Sequence, residues 1–95
     1  MRLDWSLIAL IDFEEAQSWI SEEGPSAAQS VASRIWHASL RLMEQPYMGR
    51  TGLEPGTRHL VVQRTPCLIV YRVTHEAVEI VRVWHGRLDE MRGTT

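Results

Sequence analysis

The stretch that most limits the fold is Gln45–Gly56, where two prolines and three glycines fall within twelve residues. Proline removes a backbone donor and glycine loosens the chain, so no regular element is expected across it. The hydrophobic pattern differs on its two sides. Before it, apolar residues recur at helical spacing. After it, they come in short β-branched runs. A helical half followed by a sheet half predicts an α+β layer pair rather than an alternating α/β chain.

Residues 2–5 read as a short edge strand. Ser6 is placed to cap a helix over Leu7–Glu23, because its hydroxyl can accept from the first free amides. Ala9, Phe13, Ala16 and Ile20 form that helix's apolar stripe. Asp12, Glu14, Glu15, Glu22 and Glu23 lie mostly off it. Ile8, Ile11 and Trp19 lie off its centre as well, so the apolar surface is wider than one seam. Gly24 can supply a left-handed cap and Pro25 ends the ladder. Ser26 then caps a second helix, Ala27–Glu44, whose inward stripe is Ala28, Val31, Ala32, Ile35, Ser39 and Leu42. The short link makes the two helices an antiparallel hairpin.

Beyond the break, strands are expected at Arg58–Gln63, with Leu60 and Val62 inward, at Cys67–Val73 and at Ala77–Trp84. Thr65-Pro66 and Thr74-His75-Glu76 turn the chain between them, giving a three-stranded antiparallel meander. Leu88–Thr95 is a polar tail. A strict two-residue period in the last strand puts Ile80, Arg82 and Trp84 on one face and Val81, Val83 and His85 on the other. Its end gathers Arg82, Trp84, His85 and Arg87 around Gly86. Arg82, His85 and Arg87 then converge at one sheet end, as solvated charges or as a shared contact for an anion.

Ninety-five residues make one domain, 1–95. Cys67 is the only cysteine, so no intrachain disulfide is possible, and it reads as a small packed apolar group. The start lacks the apolar core of a signal peptide and no run approaches a membrane span. The expectation is a soluble, cytoplasmic protein. Net charge is −2, unevenly spread. Residues 1–45 hold seven acids and three bases (−4); residues 46–95 hold five acids and seven bases (+2). This balance argues against strong sequence-independent nucleic-acid binding by the chain as a whole. All ten basic residues are arginine, so no lysine is available as a base or nucleophile. His37, His59 and His75 show no metal-ligand spacing, and neither a metal nor a cofactor is expected.

The ordered set Trp5, Ala9, Asp12, Phe13, Gly24-Pro25, Ala28, Leu42, Pro46, Gly49-Arg50, Gly56-Thr57-Arg58, Leu60, Val62, Ile69–Val73 and Ile80–Gly86 resembles the RelE/ParE toxin superfamily of type II toxin–antitoxin modules, also called plasmid stabilisation proteins. The resemblance covers nearly the whole chain. It implies one of two activities. RelE-like members are ribosome-dependent mRNA endoribonucleases; ParE-like members poison DNA gyrase by binding it. Cleavage through the 2′-hydroxyl needs a base, an acid and cations around the phosphate. The arginine that usually precedes the aliphatic-Val-Tyr run is absent at Leu68 and Ile69. The lysines of the preceding strand are missing, and no tyrosine follows Tyr71. Only His85 matches a nuclease position. The resemblance therefore implies the ParE-like branch, a non-enzymatic gyrase inhibitor neutralised by a cognate antitoxin.

The alternative is the nuclease, with His85 catalytic and Arg58 and Arg82 as phosphate clamps acting on the ribosome and mRNA. A third reading is an inactive relic that only binds a partner. The residues singled out for partner contact are Trp19, Trp36, Arg50, Arg58, Arg82, Trp84, His85 and Arg87. Four tryptophans exceed what so small a core easily hides. Arg50 and Arg58 can equally serve as loop anchors.

Overall fold

A computed structural model describes residues 1–52 and 54–86 of the chain. Strand β1 (Arg2–Trp5) leads into helix α1 (Leu7–Ile20), a 3-10 turn (Ser21–Glu23) and helix α2 (Pro25–Glu44). Strands β2 (Arg50–Thr51), β3 (Arg58–Val61), β4 (Cys67–Val73) and β5 (Ala77–His85) follow. They form one five-stranded sheet in the order β1-β5-β4-β3-β2. Only β1 runs parallel to its neighbour; the other pairings are antiparallel. The expected meander is therefore present, extended by a strand at each edge. The chain is α+β, with the helical hairpin packed on one sheet face.

Ser6 caps α1 as its sequence suggests, its Oγ accepting from the Ala9 N–H at 2.9 Å. The same hydroxyl donates to the Val81 carbonyl, which ties the helix start to β5. The far end differs from expectation. The α-helix stops at Ile20, and its last residues tighten into a 3-10 turn closed by Gly24 N–H to the Ser21 carbonyl. Gly24 holds φ = 126°, a region that glycine occupies without strain. It serves as the N-cap of α2, with Pro25 in the first turn. Neither the Ser26 cap nor the Ala27 start is observed. Proline's fixed φ and missing N–H suit that first position, so α2 begins two residues early.

Two further boundaries move. The break contains a two-residue strand after all, because Arg50 and Thr51 pair with His59 and Arg58. Strand β3 ends at Val61, not Gln63, yet Val62 still donates to the Cys67 carbonyl and stays buried. Arg64 carries the next turn at φ = 62°.

The largest departure lies in β5. Val70 pairs with Arg82 but Tyr71 pairs with Ile80, so Val81 is an extra, bulged residue. The bulge resets the two-residue period. Ile80 and Val83 oppose Tyr71 and Ile69, which share the helix-covered face of β4. Arg82 and Trp84 oppose Val70 and Leu68 on the open face. The expected grouping of Ile80 with Arg82 and Trp84 is thus corrected. One strand feeds the core along its length while keeping a charged residue out of it. The core comprises Ala9, Ala16 and Ile20 of α1, Val31, Ile35, Ala38 and Leu42 of α2, and the inner sheet face of Val62, Cys67, Ile69, Tyr71, Val78, Ile80 and Val83.

Candidate functional site

Strand β1 covers β5 only as far as Ile80. Beyond it, α1 lies against the exposed strand edge and Asp12 takes over the pairing. Its Oδ2 accepts from the Val83 backbone N–H at 2.9 Å and from Arg82 Nε at 2.7 Å, while Oδ1 accepts from Arg82 Nη2 at 3.0 Å. The Asp12 side chain is nearly buried; the Arg82 side chain stays 37% exposed. Its hydrogen bonds to the Asp12 carboxylate make Arg82 hold its proton more tightly than usual. Burial opposes them, and the charges of Asp12, Glu15 and Glu54 reinforce them. Arg82 also sits 4.7 Å above the Trp84 ring, a cation–π contact. Asp12 lies at the middle of the 9, 12, 13, 16 spacing, so helical periodicity could have placed it inward; its charge argued otherwise.

Arg82 and Trp84 border a shallow depression of about 310 Å³ on the open sheet face, with His59, Leu68, Val70 and Val81 around it. Beside it, α1 leaves Leu7, Ile8, Leu10 and Ile11 between 45% and 72% exposed. Ile8, Asp12 and Glu15 follow one another at helical spacing, and Asp12 fixes that face against β5. The open sheet face and the apolar side of α1 therefore meet along the β5 edge. These four exposed aliphatic side chains give one helix an apolar outer surface.

The other expected site residues are dispersed. Arg58 opposes Tyr71 and so belongs to the helix side of the sheet. It donates to the Gly49 carbonyl at 2.9 Å and lies 5.0 Å over the Tyr47 ring. It is a loop anchor acting through a carbonyl and an aromatic ring. Tyr71 completes the clamp, donating to the Pro46 carbonyl at 2.7 Å and accepting from the Gly49 N–H at 2.9 Å. Burial raises the Tyr71 phenol above its ordinary value, against the lowering effect of the Gly49 N–H and the Arg58 charge. Nothing in the sequence reading had given Tyr71 this role. Gly49 fits because a Cβ there would stand 2.6 Å from both the His59 carbonyl oxygen and the Tyr71 hydroxyl.

His85 opposes Cys67, on the helix side, and its ring lies 5.2 Å from that of Trp19. The expected convergence of His85 with Arg82 is not found: they lie on opposite sheet faces, as the two-residue period beyond the bulge dictates. Arg58 and His85 oppose β4 residues four apart, about 13 Å along the strand. His85, Arg58 and Arg82 thus form no single constellation. Arg87 lies outside the described residues, as does the tail. Trp36 is 47% exposed and stacks on Trp5 at 6.5 Å, so it extends the aromatic packing between the helices and β1. Trp19 is also partly exposed, and Arg50 is an exposed residue of the short edge strand. Burial pushes the Cys67 thiol up, with a weaker opposing hydrogen bond to Thr65. Among the described residues, no three metal-ligating side chains cluster, and no helix is long and apolar enough to cross a membrane.

Comparison with known proteins gives the following. A family model described as the ParE toxin of the type II toxin–antitoxin system, parDE, matches residues 3–90. A protein named putative toxin Y4kP, from Sinorhizobium fredii, is 39% identical over 85 residues, covering 90% of this chain and 88% of that one. A protein named toxin RelE2, from Caulobacter vibrioides, is 36% identical over 82 residues, covering 86% and 91%. Among solved structures, a chain of the chromosomal ParDE system from P. aeruginosa superposes with a TM-score of 0.81 at 25% identity, covering 90% and 95%. Isolated E. coli RelE shares the fold, with a TM-score of 0.68 at 17% identity over 96% of this chain and 89% of that one.

Proposed function

The chain belongs to the ParE toxin family of type II toxin–antitoxin systems, and we propose that it is the toxin of such a module and acts by binding DNA gyrase and blocking replication. A cognate antitoxin neutralises it by covering the apolar side of α1 and the adjoining open sheet face. The observation that supports adhesion over RNA cleavage is the way the candidate cations are used. Arg82 is committed to Asp12. Arg58 is committed to the 46–49 loop. His85 lies on the opposite sheet face from Arg82 and packs beside Trp19. General acid–base cleavage of RNA requires its base, acid and phosphate clamps within hydrogen-bond reach of one another's substrate atoms. This arrangement supplies a contact surface instead: exposed Leu7, Ile8, Leu10, Ile11 and Trp84, with Arg82 fixed above the indole. Partner chains would gain from burying the aliphatic groups, and interface energetics favour such aromatic–arginine anchors.

The ribosome-dependent endoribonuclease is retained as a second reading on one observation, the toxin RelE2 name of a 36% identical relative. The experiment runs purified chain in two assays side by side. In the first, gyrase supercoils relaxed plasmid; loss of supercoiling or accumulation of cleaved DNA supports the binding mechanism. In the second, ribosomes translate a message; truncated transcripts that disappear in the His85→Ala variant refute it. If both assays are silent and expression is harmless, the chain is a relic that only binds a partner.

A further inference from the structure

The outer shoulder of α2 carries groups that the toxin reading leaves unused. Ser30, Arg34, His37 and Arg41 recur at spacings of four, three and four. Each lies one residue ahead of a buried member of Val31, Ile35, Ala38 and Leu42. This polar stripe therefore runs directly beside the core stripe, along the seam where α2 meets the end of β3. Together with Ser33 and Gln63 it lines a groove of about 400 Å³. Val62 is the one apolar residue at the groove among the described residues, and it is 2% exposed. Among the described residues, neither Arg34 nor Arg41 forms an ion pair. No carboxylate lines the groove among the described residues. The His37 Nδ1 lies 2.8 Å from the Ser33 carbonyl oxygen, so that nitrogen is the natural donor to it and Nε2 is left for a ligand.

We infer that this groove binds the phosphodiester backbone of nucleic acid. Two guanidinium groups, two hydroxyls, an imidazole and an amide are the set that contacts phosphate and sugar oxygens without reading sequence. An acidic peptide offers similar charge but depends on apolar or aromatic anchors entering pockets; the groove has no exposed apolar wall to receive them. A single inorganic phosphate is too short. Arg34 and Arg41 are seven residues apart, about 10.5 Å along the helix axis, which matches the rise of about three nucleotides of one B-form strand. The overall charge of −2 keeps such binding weak and local, carried by the two arginines and sensitive to salt.

The test is fluorescence anisotropy of a fluorescein-labelled DNA duplex of mixed sequence, titrated with the full chain at several salt concentrations. Two neutralised phosphates predict a slope of about −1.8 in log affinity against log salt, or a roughly tenfold loss for a fourfold rise in salt. The Arg34→Gln/Arg41→Gln variant is expected to lose that binding and flatten the slope. Arg34→Lys/Arg41→Lys retains most of it, because the charge remains. Arg72→Gln, on the open sheet face, serves as the control that leaves it unchanged. Thermal melts confirm that each variant is folded. The inference is overturned if the wild-type chain fails to bind duplex at low salt, or if the glutamine variant binds as the wild type does. It is equally overturned if inorganic phosphate binds while the duplex does not, or if the glutamine variant loses only a poly-glutamate peptide. No gyrase is present in the assay, so failure here is distinct from failure of the gyrase reading.

Discussion

Replacing Asp12 tests how the β5 edge is closed. The carboxylate satisfies the Val83 N–H and two nitrogens of Arg82, with an exposure of 9% against 37% for the arginine side chain. In Asp12→Ala the Val83 N–H loses its partner in a buried setting, which costs about 1–3 kcal/mol. The Arg82 share is smaller, because a half-exposed guanidinium regains water; about 0–1 kcal/mol is appropriate there. The sum is about 1–4 kcal/mol, centred on ~2.5 kcal/mol. For a domain of this size each kcal/mol moves the midpoint by about 4–8 °C, so Tm should fall by roughly 10–20 °C. Asp12→Asn keeps an acceptor for the Val83 N–H and should lose only about 1 kcal/mol. Urea unfolding of both variants, with unchanged m, measures the difference. In the cycle with Arg82→Ala, the Asp12→Ala loss should shrink by no more than the arginine share, leaving the backbone contribution visible. If Asp12→Ala lies within about 0.5 kcal/mol of the wild type, or if asparagine is as harmful as alanine, the carboxylate does not act as a stand-in for a missing strand neighbour.

Tyr71→Phe strands the Gly49 N–H and Pro46 carbonyl that the hydroxyl now serves, and should cost about 2 kcal/mol in urea unfolding. Because burial raises the Tyr71 pKa in the folded state, its contribution is complete below the ordinary tyrosine value of about pH 10 and declines as pH climbs through the folded value. Stability measured across that window should fall in the wild type and fall less in Tyr71→Phe. Gly49→Ala drives a methyl into a backbone oxygen and the Tyr71 hydroxyl, and should destabilise by about 1–3 kcal/mol as overpacking does; a neutral result would show that the loop moves freely. Cys67 is fully buried with its thiol pKa raised, so a thiol reagent at neutral pH should label it slowly in the native protein and rapidly in concentrated guanidinium, and equal rates would contradict its packing.

The elements that local pattern encodes were readable before any coordinates. Helical spacing marked the core-facing Ala9, Ala16, Val31, Ile35 and Leu42, and β-branched runs marked β4 and β5. Ser6 announced its cap, and the proline–glycine break separated helices from meander. These features depend on residues within a few positions of one another, where the backbone period alone decides which side chains share a face. The site depended on other terms. Asp12 and Arg82 meet across 70 residues of sequence, and no local rule converts an acid on a helix into the partner of a strand edge. The bulge at Val81 is a compromise between sheet pairing and core packing. It moved Arg82 and Trp84 to the face opposite Ile80, out of the core, whereas His85 stays on the other face from them, as the two-residue period alone places it. Parallel pairing of β1 with β5 and the short β2 likewise exist only because distant strands supply backbone partners. Sequence determined which segments can bury a face; tertiary packing decided which polar groups close the edges those faces leave open, because an unpaired buried donor donates to whatever acceptor the fold brings within reach.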